Sequence, residues 1–190
     1  KHRLILRRYY SIREEIRKDG VTGDLRKIQA DMTAARTGLD PFETRLLIDD
    51  LVYGIWVGAL DRRDLIPGVA GFLSRLRAQG LKVGVVSDYP VEDKLMRLGL
   101  FFQPWHALAD CEEVGILKPA PAVFALAARR LGVEPARILH VGDREDCDVA
   151  GAHAAGMKAA LVVRGFQKRQ YRKKGSAAEA VIFDYRDISL

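Results

Sequence analysis

With 190 residues, 48% of them hydrophobic and 29% charged, the chain is long enough for one full core or a core plus a small lobe, which excludes general disorder. Lys and Arg number 31 against 25 Asp and Glu, a formal charge of +6; part of the excess sits in Lys1–Arg8 and Arg164–Lys174, where solvated surface is the plain reading and polyanion binding the sharper one. The only two cysteines, Cys111 and Cys147, make no CxxC pair and no apolar run is long enough to cross a membrane, so a reducing cytoplasm is expected and a disulfide framework is not.

Up to Leu65 the pattern is helical. Leu4 to Lys18 is basic and amphipathic, Asp24 to Thr37 opens on an N-cap acid, and Asp40-Pro41 opens a run through Leu60. In that third run Phe42, Leu46, Leu47, Leu51, Ile55, Trp56, Ala59 and Leu60 recur mostly three or four apart, which predicts one apolar stripe. Residues 1–63 are therefore expected to form an all-helical lobe.

From residue 64 onward helices and strands alternate. Pro67-Gly68 introduces a helix face of Val69, Phe72, Leu73 and Leu76; Gly80 ends it, and Leu81 to Ser87 reads as a buried strand. A helix from Glu92 to Leu98 leads to the short strand HALAD, and Pro119 opens a helix bearing Val123, Phe124, Ala127, Ala128 and Leu131. ARILHVGD is the next strand, Val149 to Gly156 the next helix, and KAALVV and AVIFDY are further strands. Such alternation implies an α/β fold, a parallel sheet covered on both faces. Ligands in these sheets bind at the carboxyl ends of strands, so Ser87, Asp110 and Asp143 are expected on one rim.

That rim carries candidates for chemistry. Ser87 and Asp88 are also good turn formers and caps. Lys118 is harder to explain blandly, because a cation at a helix N-terminus opposes the dipole unless an anion is bound there. Asp143 and Asp148 lie five apart behind a Gly, and a hard cation such as magnesium is held by one or two carboxylates plus water and phosphate. Acids and lysine make complementary halves of a phosphate site.

The segments IPGVAGFLSRLRAQGLKVGVVSD, EEVGILKPAPAVFALAARRLG and ILHVGDREDCDVAGAHAAGM resemble, in order and strand context, the second, third and fourth motifs of haloacid dehalogenase-like hydrolases. The helical lobe is similar to the cap of the phosphoglycolate-phosphatase-like subclass. The resemblance implies a Rossmann-like core, Mg2+, and phosphoryl transfer through an aspartyl-phosphate. It gives Ser87 the hydroxyl that hydrogen-bonds phosphoryl oxygens, Lys118 the cation that offsets charge on nucleophile and phosphate, Asp143 the metal ligand, and Asp148 the acid that binds or orients the metal shell. Asp88 stands in the phosphate-binding segment where many relatives carry Asn, and adds a negative charge there.

The family's first motif, a strand ending in Asp-x-Asp, supplies nucleophile and general acid/base. No Asp-x-Asp follows an apolar strand in this sequence; VIFDYRD, with Asp184 and Asp187 three apart, is the nearest imitation. The expectation is a magnesium-dependent phosphatase of a small phosphorylated substrate, its nucleophile supplied by an upstream segment or companion chain. The alternative is an inactive member kept for binding. The Gly-Asp of HVGD with Asp148 favours phosphatase over dehalogenase chemistry. Arg164 to Gly175 is expected as a surface connection with no nucleic-acid role, since Phe166 and Tyr171 are too few for a stacking platform.

Overall fold

The computed structural model describes residues 2–56, 58–61, 65–165, 171 and 175–188, without the side chain of Trp56. Its helices are α1 (His2–Asp19), α2 (Leu25–Thr37), α3 (Pro41–Ile48), α4 (Val69–Ala78), α5 (Val91–Arg97), α6 (Cys111–Val114), α7 (Ala122–Leu131) and α8 (Ala150–Ala154). The strands are β1 (Gly84–Ser87), β2 (Ala107–Asp110), β3 (Leu139–Gly142), β4 (Lys158–Val162) and β5 (Ala180–Ile182). Two compact units result: Lys1–Asp64 with Ser87–Gln103 and Asp110–Leu117, and Leu65–Val86 with Pro104–Ala109 and Lys118–Leu190. No helix among the described residues is long and apolar enough to cross a membrane.

In the first unit, Asp24 and Asp40 cap α2 and α3 by accepting from the Lys27 amide at 2.9 Å and the Glu43 amide at 2.8 Å. Each satisfies an amide that a helix start leaves without an intrahelical partner. Ile5, Tyr9, Ile12 and Ile16 line the buried face of α1, and Ile5 and Tyr9 pack with Ala30, Ile48 and Val52. Each fully buried aliphatic side chain contributes about 1.5–3 kcal/mol.

The expected stripe from Asp40 to Leu60 is corrected. The helix passes at Asp49 into a π-helical run, Asp49–Trp56. The buried residues are Thr44, Ile48, Leu51 and Val52, whereas Phe42, Leu46 and Ile55 are exposed. The difference begins within α3, where Thr44 and Ile48 face the core in place of Phe42 and Leu46; beyond Asp49 the π winding, with more residues per turn, carries the buried face further from the α-helical period.

In the second unit β3, β4 and β5 form a parallel sheet, with Leu139 opposite Lys158, Gly142 opposite Leu161, and Leu161 opposite Val181. Phe72 of α4 packs with Ala160, Val162, Ile182 and Tyr185. β1 and β2 form a separate two-stranded sheet. β1 begins at Gly84 rather than at Leu81, because the Leu81 amide closes α4 onto the Leu76 carbonyl and the Val83 amide is taken by His106 Nδ1. α7 buries Val123, Phe124, Ala127, Ala128 and Leu131, the expected face, but starts at Ala122 instead of Pro119.

Candidate functional site

β3 delivers the chain to a turn at Gly142–Arg144 that closes onto Asp148. Asp148 Oδ2 accepts from the backbone amides of Asp143 at 3.2 Å and Arg144 at 3.1 Å. Its Oδ1 accepts from Lys118 Nζ at 2.6 Å and lies 3.4 Å from His140 Nε2. Gly142 makes the approach possible: a Cβ there would lie 2.3 Å from Asp148 Cβ. Gly151 serves similarly, since its Cβ would fall 2.4 Å from the ring of Phe124, whose edge packs against His140 with centroids 4.9 Å apart. Burial alone would raise the Asp148 pKa, but the hydrogen bond from His140 and the charge of Lys118 outweigh it and hold the carboxyl well below the ordinary range.

Lys118 lies in the turn before α7, not at its N-terminus. It is neutralised by Asp148 rather than set against the dipole of α7. Asp143 directly follows β3 and is exposed. Asp110 caps α6 by accepting from the Glu113 amide at 3.0 Å, and Asp184 accepts from the Arg186 amide and pairs with its guanidinium. Both acids thus have structural work within their own turns.

Ser87 and Asp88 belong to the first unit. Ser87 Oγ accepts from the Tyr89 amide at 3.1 Å and from Lys94 Nζ. Asp88 Oδ2 accepts from Arg17 at 2.7 Å, its carbonyl from Arg13 at 2.8 Å, and Cys111 Sγ lies 3.4 Å from Oδ1. The extra negative charge that sets Asp88 apart from Asn is therefore countered by two buried arginines. Arg13 also stacks 3.9 Å above the Tyr89 ring and donates to Gln29 at 2.7 Å. Sequence reasoning missed Arg13, Arg17, Lys94 and His140. Only the arginines left a signal, since both fall on the buried face that α1 otherwise fills with apolar side chains.

Among the described residues no three His, Cys, Asp or Glu side chains gather into a ready-made metal cluster. A hard cation needs only one or two protein carboxylates and keeps water and phosphate in its other positions. Asp143, exposed behind β3, could act as such a ligand. Asp148 has both oxygens committed to protein donors and suits the orientation of that turn.

The sequence pattern of haloacid dehalogenase-like hydrolases matches residues 6–156. The chain belongs to this family. Within it, the chain is 45% identical over 104 residues to a glyceraldehyde 3-phosphate phosphatase of Methanopyrus kandleri, an alignment covering 52% of this chain and 43% of that protein. The chain spans about half or less of the length of the curated relatives it matches. A β-phosphoglucomutase from Clostridium difficile shares the fold, with a TM-score of 0.69 at 15% identity over 100% of this chain and 86% of that one. A 2-haloacid dehalogenase from Pseudomonas syringae superposes with a TM-score of 0.62 at 26% identity, over 94% and 76% of the two chains. This haloacid dehalogenase-like chain thus has the family's α/β Rossmann-like core with helical elements.

Proposed function

We propose that the chain is part of a magnesium-dependent phosphomonoesterase acting on a small phosphorylated substrate, with residues 1–63 as its cap. The observation that carries this reading is the Lys118–Asp148 pair, whose carboxylate also accepts from the backbone amide of the exposed Asp143 at the end of β3. The activity of the Methanopyrus kandleri relative, a glyceraldehyde 3-phosphate phosphatase, supports phosphatase over dehalogenase chemistry.

In this reading Ser87 donates to a phosphoryl oxygen and Lys118 offsets charge on nucleophile and phosphate. Asp143 holds the ion, and Asp148 orients both Lys118 and the Asp143 turn. Bound magnesium supplies further neutralisation of phosphoryl charge. Asp88, tied to Arg17, positions the Ser87 turn. The attacking carboxylate is assigned to an Asp-x-Asp strand outside these 190 residues. The split of the strands into two sheets supports a further strand, since β1 and β3 are at most partly buried except at Ser87, whereas β4 is buried along almost its whole length.

The test is turnover of a generic aryl phosphate. The 190-residue chain alone should be inactive; the protein with an upstream strand-Asp-x-Asp segment, joined or added, should hydrolyse the ester with magnesium and lose activity in Asp143→Asn. Failure of the restored protein on every phosphomonoester would replace this reading with that of an anion-binding module without turnover.

A further inference from the structure

Ser87 is only 9% exposed, and its Oγ accepts two hydrogen bonds, from the Tyr89 amide at 3.1 Å and from Lys94 Nζ. A hydroxyl offers two acceptor lone pairs and one donor hydrogen. Both acceptor positions are filled, and neither an amide N–H nor an ammonium can accept in return. Donation is all that remains to Ser87. Among the described residues its hydroxyl hydrogen meets no acceptor. A buried donor in that state calls for an acceptor from outside the chain.

The sign of that acceptor follows from the surroundings. Lys94, on α5, brings an ammonium to the same oxygen and sits 5.4 Å from the centre of the Tyr89 ring. The neighbouring acid is Asp88, whose carboxylate is held by Arg17 at 2.7 Å and lies 3.9 Å from Arg13. The neighbouring negative charge is thus compensated, and a hydroxyl donor remains with a cation fixed beside it. That pairing suits an oxyanion.

We propose that Lys94 is a positioning residue: it fills one lone pair of Ser87, so that the hydroxyl hydrogen points to a phosphoryl oxygen, and adds its charge to the hold on that group. The proposal rests on the phosphatase reading and adds to it a residue that no motif marks.

Orthophosphate titrated calorimetrically into the 190-residue chain tests it, alongside Lys94→Met, Lys94→Arg, Ser87→Ala and the Ser87→Ala/Lys94→Met double variant, with unfolding midpoints recorded for each. Lys94→Met should weaken binding about tenfold, as loss of a charge-assisted contact does. Lys94→Arg should retain most of it, and the double variant should bind no worse than the weaker single one, because the two side chains act as one unit. Unchanged binding in Lys94→Met, with Ser87→Ala still weakened, overturns the role of Lys94 and leaves the phosphate reading standing. Equal losses in the Met and Arg variants, tracking a lowered unfolding midpoint, overturn it in favour of simple packing. No binding to the unsubstituted chain overturns the role of Lys94, while the phosphatase reading is decided separately by turnover of the aryl phosphate.

Discussion

Lys118 and Asp148, thirty residues apart in sequence, meet at 2.6 Å where their side chains are 12% and 6% exposed. The carboxylate also gathers two backbone amides, so one side chain fixes the lysine, the turn after β3 and the direction of Asp143. Burying an ion pair is worthwhile only when the remaining lone pairs find donors, and here both oxygens do.

Removing that carboxylate should be costly. Asp148→Ala leaves Lys118 buried without its partner and two amides without an acceptor, and should destabilise the chain by about 3–5 kcal/mol in urea unfolding. Asp143→Ala, at an exposed position, should stay within about 0.5 kcal/mol of the parent while abolishing the proposed turnover. Comparable stability losses in the two variants would contradict the division of labour between them.

The same carboxylate sets an acid limit. Its folded pKa lies below the ordinary 3.8 despite burial, because His140 and Lys118 favour the ionised form. A depressed folded pKa gives stability that is whole above about pH 5 and is lost as pH falls through roughly 4 toward the folded value. Urea midpoints measured from neutral to acid pH should fall on that side, and the fall should be smaller in Asp148→Asn. Parallel curves for the two proteins would assign the acid loss to other groups.

Gly142 and Gly71 should respond oppositely to the same change. Gly142→Ala places a methyl 2.3 Å from Asp148 Cβ and should cost about 1–3 kcal/mol by overpacking. Gly71, in α4, has nothing within 4 Å of its Cβ position, and Gly71→Ala should stabilise by about 0.5–1 kcal/mol. Denaturant midpoints for the two variants read the signs directly.

Arg17 is expected to matter for anions that it does not touch. Arg17→Met leaves Asp88 with weaker compensation next to Ser87, and orthophosphate affinity at low salt should fall about three- to tenfold. Adding Asp88→Asn should recover most of the loss, since the uncompensated charge is then gone. A double variant as weak as Arg17→Met alone would place the effect in packing.

Local order was legible in the sequence. The Asp24 and Asp40 caps, the buried face of α7 from Val123 to Leu131, and the positions of β3 and β4 follow from residue type and period, which report on backbone within a few turns. The order of three motifs identified the family. The stripe after Asp40 departs from its expected face first in α3, which buries Thr44 and Ile48 in place of Phe42 and Leu46, and again where π-helical winding begins at Asp49; no residue pattern announces either. Charge pairing was decided by the tertiary structure alone: Arg17 reaches Asp88 across 71 positions and Lys118 reaches Asp148 across 30. Periodicity tells which side of an element is buried, but the partner of a buried charge is set by how distant elements pack, and that packing turned Asp88 toward arginines and Lys118 toward Asp148.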